Sequence, residues 1–102
     1  MKISRSYEFA TVTTDAEATA TVIDVRNWAA MSVKPSMAQT YMKIYAAMDS
    51  TYVQAKDKDG LDLVVTLNST HPVMLPSEIF NYPRIKLVTD NQDTSALIFK
   101  KG

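Results

Sequence analysis

The chain of 102 residues contains no cysteine, a single histidine (His71) and only two glycines, Gly60 and Gly102. The first absence excludes disulfides, thiol nucleophiles and thiolate metal sites. The second excludes any centre that needs two imidazoles. The third excludes the glycine-rich loops that cradle phosphates. No sign of charge is in excess either: 11 Lys and Arg face 11 Asp and Glu, for a net charge of +0. A nucleic-acid binder of this size normally carries a basic surplus, so no nucleic-acid partner is expected. No run approaches the roughly 18–20 apolar residues of a membrane span, so no membrane partner is expected. The opening Met1-Lys2-Ile3-Ser4-Arg5-Ser6 lacks the apolar run of a signal peptide, and synthesis and retention in the producing cytoplasm are expected. The length is too small for a doubly wound sheet or a (β/α)₈ barrel and suits one domain.

What is present is ordinary globular material, 46% hydrophobic and 22% charged. Its dominant period is two. Ala18, Ala20, Val22 and Asp24 alternate with Thr19, Thr21, Ile23 and Val25. Leu61, Leu63 and Val65 alternate with Asp62, Val64 and Thr66. Ile85, Leu87 and Thr89 alternate with Arg84, Lys86 and Val88, and Ser95 to Phe99 is a further short apolar run. Short strands recurring at roughly 8–12 residues predict an all-β fold, a small antiparallel β-sandwich of jelly-roll type. Asp57-Lys58-Asp59-Gly60 reads as a tight hairpin turn, and Asp49-Ser50 and Asp90 to Asp93 as two more polar tips. Pro35, Pro72, Pro76 and Pro83 fall outside the alternating cores, where a missing N–H does least harm. Residues 15–102 are expected to form the sandwich. Residues 1–14, with Ile3, Tyr7, Phe9 and Val12 as their apolar set, read either as an arm that adds a strand to a partner's sheet or as the first strand of their own.

One segment carries two periods at once. Met37, Tyr41, Ile44, Tyr45 and Met48 lie on one face of a helix, with Ser36 and Gln39 forming a capping box. Read as a strand, Met42, Ile44, Ala46 and Met48 share one face, and Tyr41, Lys43, Tyr45 and Ala47 the other. A short helical turn near residues 35–39, followed by a strand from about Thr40, satisfies both.

The chemical inventory is thin. His71 has no carboxylate or nucleophile at a telling spacing to tune it as a base, and it reads as a solvated loop residue. Asp57-x-Asp59-Gly60 lacks the further oxygen ligands and closing glutamate of a calcium loop. The dispersed Met31, Met37, Met42, Met48 and Met74 read as gap-filling core. No catalytic, cofactor-binding or metal-binding residue is assigned, and the chain is not expected to be an enzyme. Trp28, Tyr41, Tyr45, Tyr52, Phe80 and Tyr82 are sheet-face packing or a contact face. The candidate interface is Tyr7, Phe9, Trp28, Tyr41, Lys43, Tyr45 and Tyr82.

The second half carries a resemblance. Tyr41 to Val53 looks like an apolar strand, a polar turn and an aromatic return strand. Asp57 to Gly60 closes the next hairpin, Val73-Met74-Leu75-Pro76-Ser77-Glu78-Ile79-Phe80 forms a corner, and Tyr82-Pro83-Arg84-Ile85-Lys86-Leu87-Val88-Thr89-Asp90 a further strand. Over roughly residues 17–99 this order resembles the small β-sandwich structural proteins of tailed bacteriophages, some of which decorate or cement capsids. The tip Asp49-Ser50-Thr51 departs from it where glycine is often found. The resemblance concerns a scaffold and transfers no functional residue. It implies a decoration or cement protein on the virion's capsid surface that binds and bridges the major capsid protein, as a homo-oligomer, trimer or dimer. The other expectation is a carbohydrate- or host-surface-binding module of a tail or head fibre, using Trp28 and Tyr45.

Overall fold

Nine strands are defined among the residues that the computed structural model describes, which are 7–14, 16, 18–37, 39–89 and 95–102. They are β1 (Tyr7–Thr13), β2 (Ile23–Asp24), β3 (Ala30–Pro35), β4 (Gln39–Ala47), β5 (Val53–Gln54), β6 (Val64–Ser69), β7 (Val73–Met74), β8 (Arg84–Thr89) and β9 (Ser95–Lys101). One antiparallel sheet has the order β1-β9-β3-β7, the other β2-β8-β4, with β5 and β6 sharing the far edge of β4. The chain changes sheet at every connection except β4–β5–β6. That order is the jelly roll, a double-sheet sandwich, and the fold is the small all-β sandwich that the alternation predicts.

The pleat sorts the residues. On β4, Met42, Ile44 and Ala46 point inward, opposite Thr89, Leu87 and Ile85 of β8. Met31 and Val33 of β3, Ala96 and Ile98 of β9 and Val12 of β1 line the facing sheet, and all join one buried cluster. Between the sheets, the Thr14 carbonyl accepts from the Thr89 amide at 3.0 Å and from its hydroxyl at 2.6 Å, tying the crossover after β1 to the end of β8. Both threonines are buried, so these bonds satisfy groups whose isolation from water would be costly.

The Asp57–Gly60 turn forms as expected. The Gly60 amide donates to the Asp57 carbonyl at 3.1 Å, and Gly60 has φ +80°, the left-handed position of a hairpin closed by a bulge. Asp57 Oδ1 accepts from the amides of Asp59 (2.8 Å) and Leu61 (3.0 Å). Asp49 does the same for the Thr51 amide at 2.8 Å, which replaces the glycine geometry of that tip with an Asx turn. The tip at Asp90–Asp93 lies outside the described residues.

Four expectations are corrected. The alternation over 18–25 yields a strand of only Ile23–Asp24, because the Thr19 and Ala20 amides turn back onto the Ala16 carbonyl and Thr21 bonds Thr13. The helical turn near 35–39 does not appear among the described residues: Pro35 ends β3 and Gln39 opens β4. The helical turn is instead the 3₁₀ segment Ser77–Asn81, which buries Ile79. Pro35 belongs to β3, opposite Ala96. Its ring nitrogen points away from β9 to the side where β7 pairs only with Ser32 and Val33, so no ladder bond is lost. Of the methionines, Met31 and Met42 fill the core, whereas Met37, Met48 and Met74 are exposed, since each stands on an outer face or in a connection.

Ile44 is fully buried where β4 meets three strands. Ile44→Ala is expected to cost about 3 kcal/mol, the transfer of the lost groups plus the cavity they leave. Urea denaturation checks it by a lower midpoint at an unchanged slope.

Candidate functional site

The seven candidate interface residues do not form one patch. Tyr7 and Phe9 stand on the outer face of the β1-β9-β3-β7 sheet. Tyr41, Lys43 and Tyr45 stand on the outer face of the other sheet, as the strand reading predicts. Trp28 sits between β2 and β3, and Tyr82 between the 3₁₀ turn and β8.

The last two are occupied within the fold. Lys100 Nζ lies 5.2 Å from the centre of the Trp28 ring and 2.9 Å from Glu8 Oε1, with the lysine side chain only 12% exposed. The Tyr82 hydroxyl donates to the Lys56 carbonyl at 3.3 Å and the ring packs against the core. Tyr82 also borders a groove of about 360 Å³ between the β4–β5 turn and Lys56.

On the β2-β8-β4 face, cations and tyrosines are interleaved. Lys86 Nζ lies 4.4 Å from the Tyr52 ring centre and Lys43 Nζ 5.7 Å from that of Tyr41. At the end of this face Asp24 accepts from Arg26 Nε at 3.0 and 3.1 Å and from the Arg26 amide at 3.0 Å. These bonds from Arg26 lower the Asp24 pKa from 3.8 to about 2. Arg84, opposite Asp24 in the ladder, donates to the Asp49 carbonyl.

The outer face of β1, β9, β3 and β7 is different in kind. Phe9 and Phe99 are directly opposed in the ladder with ring centroids 4.9 Å apart, and Tyr7 lies 6.3 Å from Phe9 and 6.1 Å from Phe99. Tyr7 is 67% exposed, Phe9 60%, Leu97 44% and Met74 74%. Phe9, Phe99, Leu97, Pro72, Ser32 and Lys34 border a shallow groove of about 160 Å³. An apolar surface shared by four strands marks an interaction site more often than singly scattered apolar residues do. It has shape and apolar area to offer a partner.

Leu97, Phe99 and Met74 belong to this face but not to the residues singled out from the sequence. The signal was in Ser95-Ala96-Leu97-Ile98-Phe99, a strand apolar on both faces. One face meets the core, so the other must be covered or exposed. His71 is exposed in the β6–β7 connection, and the Asp57 carboxylate is engaged by turn amides. No cluster of three or more His, Asp or Glu able to hold a metal occurs among the described residues. Comparisons with protein-family models, curated proteins and solved structures give no match.

Two outcomes are expected. A double-mutant cycle with Phe9→Ala and Phe99→Ala should return a coupling of about 1 kcal/mol, typical of an aromatic pair at this separation. Because the folded state lowers the Asp24 pKa, its contribution is complete above about pH 4 and fades as pH falls towards 2. The gap in urea midpoint between wild type and Asp24→Asn should therefore close over that window, and it should be smaller in high salt.

Proposed function

We propose that this chain is a structural protein of a bacteriophage virion, a capsid decoration or cement protein that binds and bridges major capsid subunits and stabilises the head. The observation that carries the reading is the contrast between the two outer faces. One is laced with cation–aromatic and ionic contacts. The other presents Tyr7, Phe9, Leu97 and Met74 to solvent, with Phe9, Leu97 and the half-buried Phe99 bordering a shallow groove. A rigid sandwich with one apolar face suits binding by surface complementarity. Many copies on a repeating lattice add small contributions through multivalency. The resemblance of the strand and turn order to phage structural proteins supports the same reading, as does the neutral net charge, which suits a protein partner better than nucleic acid.

Lys100 engages one face of the Trp28 ring that the rival carbohydrate reading uses, which removes part of its support. Its other anchor is Tyr45.

The test is co-sedimentation of the purified protein with undecorated capsids. Binding is expected, with occupancy reduced at least tenfold by Phe9→Ser combined with Leu97→Ser and unchanged by Tyr41→Ser on the opposite face. Failure of the wild type to co-sediment overturns the proposal, and electron microscopy locating the protein in the tail redirects it.

A further inference from the structure

The long edge of the first sheet is open, and its hydrogen-bonding groups are complementary to themselves. Thr13 turns both backbone groups away from β9: its amide donates to Thr21 Oγ1 at 2.9 Å and its carbonyl accepts from the Thr21 amide at 3.0 Å. The two-residue alternation of a strand gives the same direction to Thr11, Phe9 and Tyr7. The ladder on the other side agrees. The Leu75 amide donates to the Met31 carbonyl and the Ser36 amide to the Ser95 carbonyl. This fixes odd residues of β3 towards β7, odd residues of β9 towards β3 and even residues of β9 towards β1. Among the described residues no strand pairs with the free edge of β1.

Other edges are blunted in the ways natural sheets use. β2, β5 and β7 are two residues long, and β6 carries a register shift against β4. β1 runs seven residues in unbroken register, without proline, glycine or a bulge. Its one charge, Glu8, points to the inner side and is neutralised by Lys100.

We propose that a second copy of this chain covers that edge, by antiparallel β1–β1 pairing about a twofold axis at Phe9. In this register Phe9 faces Phe9 of the second copy and Tyr7 faces Thr11. Every open N–H and C=O of Tyr7, Phe9 and Thr11 then finds a partner, because directly opposed residues exchange two bonds. Glu8 falls beside Ala10, so no like charges oppose each other. Thr21 occupies the edge at Thr13 and stops the ladder there. The contact is isologous and closes at two copies, which uses up an edge that would otherwise template open-ended association. Opposed residues project to one side of a sheet, so both apolar faces end on the same side of a continuous eight-stranded sheet. The proposal specifies the homo-oligomer that the resemblance implies, and its hydrogen bonds involve the edge of the sheet, not the groove on its face.

The experiment measures mass by sedimentation velocity across a concentration series, with circular dichroism and thermal melting as fold controls. The wild type is expected at twice the 11.4 kDa chain mass. Thr11→Pro removes an edge donor that bonds nothing among the described residues and should halve the mass with the fold retained. Phe9→Asp should also give a monomer, since the axis sets its carboxylate against itself, and so should Phe9→Lys. Mixing these two should restore the doubled mass, which only pairing at Phe9 explains. The Phe9 variants test the register whether or not Thr11→Pro folds. A monomeric wild type overturns both this proposal and the homo-oligomer that the resemblance implies. A wild-type dimer that survives both Thr11→Pro and Phe9→Asp, a trimer, or a mixture that stays monomeric overturns the edge pairing alone. Capsid co-sedimentation by the monomeric Thr11→Pro variant, which keeps Phe9 and Leu97, leaves the decoration reading intact.

Discussion

The pairing of β4 with β8 is the contact on which the rest of the molecule depends. Met42, Ile44 and Ala46 lie opposite Thr89, Leu87 and Ile85, and this inward set is the floor against which the other sheet packs. β4 also receives β5 and β6 on its other edge, so one strand organises most of its sheet. A slip of one residue there would turn Lys43 and Tyr45 into the core and Ile44 out of it. The register is therefore held by burial as well as by hydrogen bonds, and every outward residue inherits its place from it.

That constraint explains why the two outer faces differ. On β4 and β8 the outward positions include Tyr41, Lys43, Tyr45, Lys86 and Arg84, whose charges and rings engage one another or the backbone, beside the apolar Val88. On β1 and β9 they include Tyr7, Phe9, Thr11, Leu97 and Phe99, where the contacts are between rings, with Lys101 opposite Tyr7 at the strand end. Both faces are consistent with the same core. The Phe9–Phe99 pair contributes to folding stability, but the core does not require these rings to stand exposed, and an apolar face of this kind marks an interaction site more often than scattered apolar residues do.

The strands that could be read most directly from the sequence are those whose two faces differ in polarity. Residues 84–89 alternate and fold as read, and the short apolar run 95–99 forms the strand expected of it although its two faces do not differ. Residues 36–48 were ambiguous because Ile44 and Met48 belong to both the helical and the extended pattern. Strands on both edges of β4 decide between them, and that information is not local. Residues 18–25 alternate equally well, yet only Ile23 and Asp24 pair, because Thr21 bonds the backbone of Thr13 and the amides of Thr19 and Ala20 turn back onto Ala16. The outward stance of Tyr7 and Phe9 was legible since they sit in a polar alternating strand. That of Leu97 and Phe99 was not, because an apolar residue in an apolar run looks like core until its partner strands are known.

The neutral charge of the chain has a structural counterpart. Glu8 holds Lys100, Asp24 holds Arg26 and Asp62 holds Lys56, while Lys86 and Lys43 sit over tyrosine rings. Surface pairs of this kind contribute little to stability. With a net charge of +0, the chain as a whole carries no excess of either sign with which to steer a charged partner from a distance. Recognition then falls to short-range contact, where aromatic rings held by cross-strand packing lose little freedom on binding. The face that meets this requirement is the one carrying Tyr7, Phe9 and Phe99, held in place by β9 at the centre of its sheet.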